Sequence, residues 1–183
     1  MNDHATLYLQ RLRTALDRTE LESFAQVVES LVEARSRGRT VFTLGNGGSA
    51  ALASHLAADL CRIGTDKGTS VRALSLTDSA SLVTGWSNDD DYDQVFVRQL
   101  AAHLRRDDVV IAISCGGKST NVLEALRFAR REGARTIGFL GFDGGTAKDL
   151  VDHALCVPVD DYGIAETVHT AFCHMITEAL GQG

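Results

Sequence analysis

The chain has 183 residues, of which 44% are hydrophobic and 23% charged, a composition typical of one globular domain with a substantial core. Its formal net charge of −6 gives no reason to expect binding to nucleic acid or to an anionic membrane. The first residues carry no apolar signal segment and no apolar run approaches ~20 residues, so the sequence predicts a cytoplasmic protein without a membrane span.

Two amphipathic helices are predicted first, over residues 7–16 and 24–32, because apolar side chains recur there at helical spacing. The chain then alternates between strands and helices. Strands are predicted at 40–44, 70–75, 108–114, 134–140 and 153–159, and helices at about 48–62, 77–86, 91–106, 119–132 and 163–180. This alternation predicts one α/β domain over residues 1–183, with a parallel five-stranded sheet covered by helices on both faces and a helical extension at residues 1–37.

The cysteines provide no evidence for disulfides or for a zinc ribbon. Cys61, Cys115, Cys156 and Cys173 form no CxxC pair. Three of the four lie in predicted helices or strands, so we expect reduced, buried thiols.

Two glycine- and serine-rich loops follow the first and third predicted strands. The first is Gly45-Asn46-Gly47-Gly48-Ser49, and the second runs from Ser114 through Cys115, Gly116, Gly117 and Lys118 to Ser119. Glycines let the backbone approach an anion, and N–H groups at a helix start point towards it. Because ligands bind beyond the carboxyl ends of parallel strands, the two loops could converge on one phosphate. The alternative is that the glycines serve only as turns and that Ser49 and Ser119 are ordinary N-caps.

Four polar side chains on two predicted helices form the second candidate site. His55 and Asp59 are four residues apart, and Glu166 and His174 are eight apart, about 80° from each other around the helix. Two carboxylates and two imidazoles suit either a metal site or an acid–base set. Alternatively, each is a solvated surface residue, or His55 and Asp59 form a weak local pair.

Together these motifs resemble the phosphoheptose isomerases of the SIS (sugar isomerase) fold, which convert sedoheptulose 7-phosphate to a heptose 7-phosphate. The resemblance covers nearly the whole chain. It rests on five segments, which are GNGGSAALASHLAADL, SNDDDYDQVF, ISCGGKSTNVLEAL, GFDGG and AETVHTAFCH. It implies a flavodoxin-like three-layer αβα sandwich and a homotetramer with shared active sites, in which the extension at residues 1–37 serves oligomerisation. It also implies substrate contacts from Asn46, Gly47, Gly48, Ser49, Asn88, Asp89, Ser114, Cys115, Gly116, Lys118, Ser119 and Glu166.

The resemblance also implies the catalytic and metal-binding roles. The family's general base, a glutamate, falls on Asp59, and its general acid falls on His174. The metal ligands of zinc-binding members fall on His55, Asp59, Glu166 and His174. This set of two histidines and two carboxylates suits zinc, and also iron, manganese or nickel.

Three departures from the family pattern affect the predicted site. Asp59 is one methylene shorter than the family's glutamate, and Glu166 stands where the family has glutamine. The second loop reads Ser-Cys-Gly-Gly-Lys-Ser instead of Ser-Thr-Ser-Gly-Asn-Ser, so two hydroxyls are lost and the charge of Lys118 is gained.

Three functions therefore remain open. The first is isomerisation of sedoheptulose 7-phosphate through a cis-enediol. The second is the same reaction on a different ketose phosphate. The third is a non-catalytic SIS protein that binds a partner protein. A carboxylate at Asp59 and the imidazole of His174 favour an enzyme.

Overall fold

The structure is a computed structural model that describes residues 2–65 and 70–181. Its helices and strands, in chain order, are α1 (Asn2–Asp17), α2 (Phe24–Ser36), β1 (Thr40–Gly45), α3 (Gly48–Arg62), β2 (Arg72–Ser75), α4 (Ala80–Asp89), α5 (Val95–His103), β3 (Val109–Ser114), α6 (Thr120–Arg131), β4 (Arg135–Gly141), β5 (His153–Val157) and α7 (Tyr162–Gly181). Short 3₁₀ turns lie at Tyr92–Gln94 and Thr146–Leu150.

The five strands form one parallel sheet in the order β2-β1-β3-β4-β5. Alternate side chains of β3 point to opposite faces, so Ile111 and Ile113 join one hydrophobic cluster while Val110 and Ala112 join the other. The first cluster includes side chains of α1, α2, α3 and α7, and the second includes those of α5 and α6. The predicted three-layer αβα sandwich is therefore confirmed.

Two of the predicted helices have different bounds in the structure. The helix predicted at 77–86 begins at Ala80, because the Ser79 hydroxyl accepts a hydrogen bond from the Leu82 N–H at 3.3 Å and caps it. The helix predicted at 91–106 is divided into a 3₁₀ turn and α5. The Asp91 carboxylate caps the turn by accepting from the Asp93 N–H at 3.0 Å, and extended backbone at Leu104 ends α5.

The cysteine prediction is correct for three residues and wrong for one. Cys115, Cys156 and Cys173 are buried, and all four thiols are free. Cys61 is exposed, because it lies on the outward side of α3, where its thiol donates a hydrogen bond to the Ala73 carbonyl at 3.3 Å. In the described ranges no helix has both the length and the apolar character that a membrane span needs.

A histidine lies in the core between the sheet and α7. His169 is completely buried against Phe139 and Phe172, and neither of its ring nitrogens has a hydrogen-bond partner among the residues that the structure describes. Burial lowers the pKa of His169 to about 4, so the ring is neutral at neutral pH.

We expect His169 to make the protein sensitive to acid. The unfolded imidazole binds a proton below its ordinary pKa of 6.5, whereas the folded one does so only near pH 4. The contribution of His169 to the free energy of unfolding should therefore be fully present above pH 6.5. The free energy of unfolding should fall by about 3 kcal/mol as the pH approaches 4. Urea unfolding of a His169→Leu variant should show a smaller loss over this range, whereas His103→Gln, at an exposed position, should follow the wild type. Equal pH dependence in wild type and His169→Leu would contradict this account.

Candidate active site

The two glycine-rich loops lie side by side, because β1 and β3 are neighbours in the sheet and both end at the same edge. Ser49 is the second residue of α3 and is buried, so it is not the N-cap; that position belongs to Gly47, whose φ is +57°. Ser119 occupies the N-cap position of α6, but its side chain makes no capping hydrogen bond. The interpretation as an N-cap is therefore wrong for Ser49 and correct in position for Ser119, whose hydroxyl does not serve as the cap.

A reciprocal pair of amides joins the two loops. The Asn46 amide donates to the Asn121 carbonyl oxygen at 2.9 Å, and the Asn121 amide donates back to Asn46 at 3.0 Å. The Tyr92 hydroxyl donates to the same Asn46 oxygen at 2.9 Å, and Asn121 also accepts from the Val122 N–H at 2.9 Å. These bonds fix the distance between the loops without using the serine hydroxyls.

The loop after β4 supports the second loop through its backbone. Gly117 has a φ of +60°, and a Cβ there would lie 2.0 Å from the Gly144 carbonyl oxygen. The Gly117 N–H donates to the Ser114 hydroxyl at 3.2 Å, and its carbonyl accepts from the Ala147 N–H at 3.0 Å. Only glycine allows this backbone contact, which explains Gly117 in the second loop and Gly145 in GFDGG, where a Cβ would lie 2.5 Å from the Gly116 carbonyl oxygen.

The loops enclose a cavity of about 390 Å³ at the edge of the sheet. Its walls are formed by Asn46, Ser49, Ile113, Ser114, Cys115, Gly116, Lys118, Ser119, Tyr162 and Glu166. Hydroxyls, backbone N–H groups and one lysine are the groups that bind a phosphate. Burial raises the pKa of Cys115 to about 11, with a contribution from the Glu166 carboxylate, so this thiol is neutral. We call this cavity the cradle.

Three of the four predicted metal ligands come together beside the cradle. One ligand atom from each of His55, Asp59 and His174 lies within 4.8 Å of the others. The His55 Nε2 atom is 3.1 Å from the Asp59 Oδ2 atom, and the His55 and His174 rings meet edge to face with centroids 5.3 Å apart. Two imidazoles and one carboxylate with open solvent access fit a catalytic metal site, in which a fourth position is left for substrate or water.

Glu166 lies between this group and the cradle. It lines the cradle and also a second recess that contains His55, but it is not one of the three donors within 4.8 Å of one another. Glu166 and His174 are separated by eight residues, or ~12 Å along the helix axis. The Glu166 carboxylate instead packs against Gly48, where a Cβ would lie 2.4 Å from Oε1.

Some predicted residues lie outside the cradle, and some of its residues were not predicted from the sequence. Asn88 and Asp89 are exposed at the end of α4, where the Asn88 amide donates to Asp89 at 2.9 Å, and neither lines the cradle. Tyr162, which lines the cradle, and Tyr92, which donates to Asn46 without lining the cradle, were not predicted. Tyr92 lies just before α5 and Tyr162 begins α7, both at the carboxyl edge of the sheet. That position is the feature of the sequence from which they could have been predicted.

Comparison with known proteins gives the same fold and names the family. The model of the SIS domain matches residues 7–141. The phosphoheptose isomerase of Geobacter sulfurreducens is 38% identical, covering 98% of this chain and 97% of its own length, and that of Geotalea daltonii is 37% identical, covering 93% and 89%.

The chain belongs to the phosphoheptose isomerase family. The structure of the Neisseria gonorrhoeae phosphoheptose isomerase superposes with a TM-score of 0.92 at 27% identity, covering 100% of this chain and 99% of that one. This match extends to α1 and α2, which lead into the sheet, so the helical extension is part of the family fold. As a member of this family, the chain is a sugar-phosphate isomerase.

We expect Gly48→Ala to disturb Glu166 without unfolding the protein. The added methyl group meets the end of a flexible side chain, so the carboxylate moves and the backbone does not. Because small misplacements at an active site are costly, kcat/KM should fall about tenfold. Steady-state kinetics and a melting curve measure both effects. The matched control is Gly85→Ala, where a Cβ meets nothing within 4 Å. An unchanged kcat/KM in Gly48→Ala would show that this position of Glu166 is not needed.

Proposed function

We propose that this protein converts sedoheptulose 7-phosphate to D-glycero-D-manno-heptose 7-phosphate through a cis-enediol. The observation that carries the proposal is that Glu166 lines both the cradle and the recess that contains His55, a member of the His55–Asp59–His174 group. A phosphorylated ketose has its phosphate at one end and its reacting carbons at the other, so it needs two such sites a short distance apart.

The phosphate is assigned to the cradle. The hydroxyls of Ser49, Ser114 and Ser119 and the backbone N–H groups of the second loop donate hydrogen bonds to its oxygens. Lys118 supplies a positive charge in place of the two hydroxyls that the second loop lacks relative to the family pattern. Gly47 and Gly48 keep the first loop free of side chains that would block the anion.

The sugar chain is assigned to the surface between the cradle and the three-residue group. The carboxylate of Glu166 accepts hydrogen bonds from sugar hydroxyls there. Asn88 and Asp89 remain predicted sugar contacts, because they lie on an exposed helix end that a neighbouring subunit can bring to the site.

Asp59 and His174 are assigned to the two proton movements. Asp59 removes a proton from C1 of the ketose and returns one to C2, while His174 protonates the oxygen on C2 and accepts the proton from the oxygen on C1. One oxygen of Asp59 faces His55 at 3.1 Å, which orients the carboxylate and leaves its other oxygen for the substrate.

A divalent metal is assigned to His55, Asp59 and His174, with Glu166 as the predicted fourth ligand. When bound, it would polarise the substrate carbonyl as a Lewis acid. Zinc fits two nitrogens and carboxylate oxygens best, with iron, manganese and nickel as alternatives. A metal-bound Asp59 is a weaker base, so the two roles of this residue compete.

We also propose that α1 mediates assembly into a homotetramer. Leu7, Leu9 and Leu16 are 52%, 52% and 47% exposed. It is unusual for one helix of a monomer to leave three large apolar side chains in contact with water. Helix α1 also contacts the start of α7, where the Tyr8 hydroxyl lies 3.2 Å from that of Thr167, and Arg11 pairs with Asp161 just before α7. A subunit that packs on α1 would therefore lie close to the active site.

The cytoplasmic location stays a prediction from the sequence.

Proton NMR of the purified protein with sedoheptulose 7-phosphate in D₂O tests the proposed reaction. The enediol route predicts that the aldose appears with deuterium at C2. Metal content is recorded on the same sample. Absence of aldose in a folded, metal-loaded sample would contradict the heptose assignment, and a panel of other ketose phosphates would then identify the substrate that the altered second loop accepts.

We expect Asp59→Asn and His174→Ala to lower kcat at least ~100-fold each while sugar-phosphate binding is kept, because general acid–base groups contribute about 10²–10⁴-fold. Turnover and calorimetric binding measure the two properties separately. The control is Asp78→Asn, which changes an exposed carboxylate outside the site. A partner-binding protein without catalysis would instead show no turnover in the wild type.

A further inference from the structure

A second cavity of about 620 Å³ opens on the far side of the cradle. The two cavities are adjacent, because Gly116, Lys118 and Tyr162 line both of them. The remaining walls of the second cavity are Phe142, Asp143, Pro158, Val159 and Asp160. The recess that leads to His55 meets the cradle at Glu166 instead. The proposed path of the sugar therefore leaves the second cavity empty when the substrate is bound.

An aromatic pair stands at the mouth of this second cavity. The rings of Phe142 and Tyr162 lie 4.9 Å apart between centroids at 59°, and Tyr162 is 64% exposed. Phe142 has a φ of +52°, which is a strained backbone conformation for a bulky residue. Strain of this kind is concentrated at functional sites. The pair presents an apolar, π-rich surface next to a phosphate-binding loop.

Two carboxylates, those of Asp143 and Asp160, line the second cavity together with the aromatic pair. Asp143 accepts a hydrogen bond from the Gly145 N–H at 3.0 Å, and this bond, together with nearby Lys118, holds the pKa of Asp143 below its usual value. Asp143 and Asp160 repel a second phosphate in this cavity. They suit instead the hydroxyls of a ribose, which carboxylates bind in nucleotide sites.

We propose that the second cavity binds the nucleoside of a nucleoside 5′-monophosphate whose phosphate occupies the cradle. The base stacks on Phe142 and Tyr162, and the ribose hydroxyls donate to Asp143 or Asp160. Such a ligand excludes the sugar phosphate by competing for the same serine hydroxyls. The inference rests on the proposed function only in taking the cradle as the phosphate site.

Adenosine 5′-monophosphate is the probe, with ribose 5-phosphate and adenosine as its fragments. Calorimetric titration of the intact protein should show that the nucleotide binds about tenfold more tightly than ribose 5-phosphate, since stacking of a base on an aromatic ring supplies this difference. The nucleotide should also inhibit the isomerase competitively. Equal affinity for the nucleotide and ribose 5-phosphate would overturn the proposal.

A substitution at a residue that lines the second cavity but not the cradle tests the role of the second cavity separately. Phe142→Leu should lower the affinity for the nucleotide about tenfold and leave KM for the sugar phosphate unchanged, because Phe142 does not line the cradle. The matched control is Phe128→Leu, an aromatic on α6 that stacks with Arg131 and lines neither cavity. An equal loss in both variants, or none in either, would contradict the proposal.

Saturation-transfer NMR on the wild type gives a readout that does not depend on a variant. The base protons of the nucleotide should receive more saturation than its ribose protons, and the reverse order would contradict stacking on the aromatic pair. Because binding is measured without turnover, the two proposals can fail separately. A protein that binds the nucleotide but does not isomerise sedoheptulose 7-phosphate would refute only the proposed reaction.

Discussion

The active site depends on the contact between two loops that follow neighbouring strands. The reciprocal amide pair of Asn46 and Asn121 joins residues that are 75 positions apart in the chain. On the other side of the second loop, Gly117 packs against the backbone of Gly144. The second loop is thus held from both sides by groups that do not need to contact the substrate. The contact between the loops does not use the hydroxyls of Ser49 and Ser119, which we propose as donors to a phosphate.

Helix α7 connects this cradle to the catalytic group. Helical periodicity places Glu166 and His174 towards α3, while His169 and Phe172 face the sheet and are buried. The same helix therefore anchors itself in the core and supplies two side chains to the site. The burial of the His169 imidazole makes this anchor weaker in acid, which links the stability of the fold to the element that carries the proposed general acid, His174.

Much of the fold and part of the site could be predicted from the sequence, because strand alternation and helical spacing are local properties. The helical spacing of four residues was enough to pair His55 with Asp59. The link between Asn46 and Asn121 could not be predicted, because it depends on the register of two strands. The role of Tyr162 was missed because it depends on the positive φ of Phe142 and on packing between distant loops. For Glu166, helical spacing predicted its side of α7 but not the contact of its carboxylate with Gly48, which depends on how α7 packs against α3.

A double-mutant cycle on Asn46 and Asn121 tests most directly whether the two loops act as one phosphate-binding unit. Calorimetry would measure binding of sedoheptulose 7-phosphate to Asn46→Ala, Asn121→Ala and the double variant, all in an Asp59→Asn background that prevents turnover. The account predicts that the double variant loses about as much affinity as either single variant, with a coupling of at least ~0.5 kcal/mol. Losses that add fully would show that the two asparagines act independently, and would contradict the central place given to their contact.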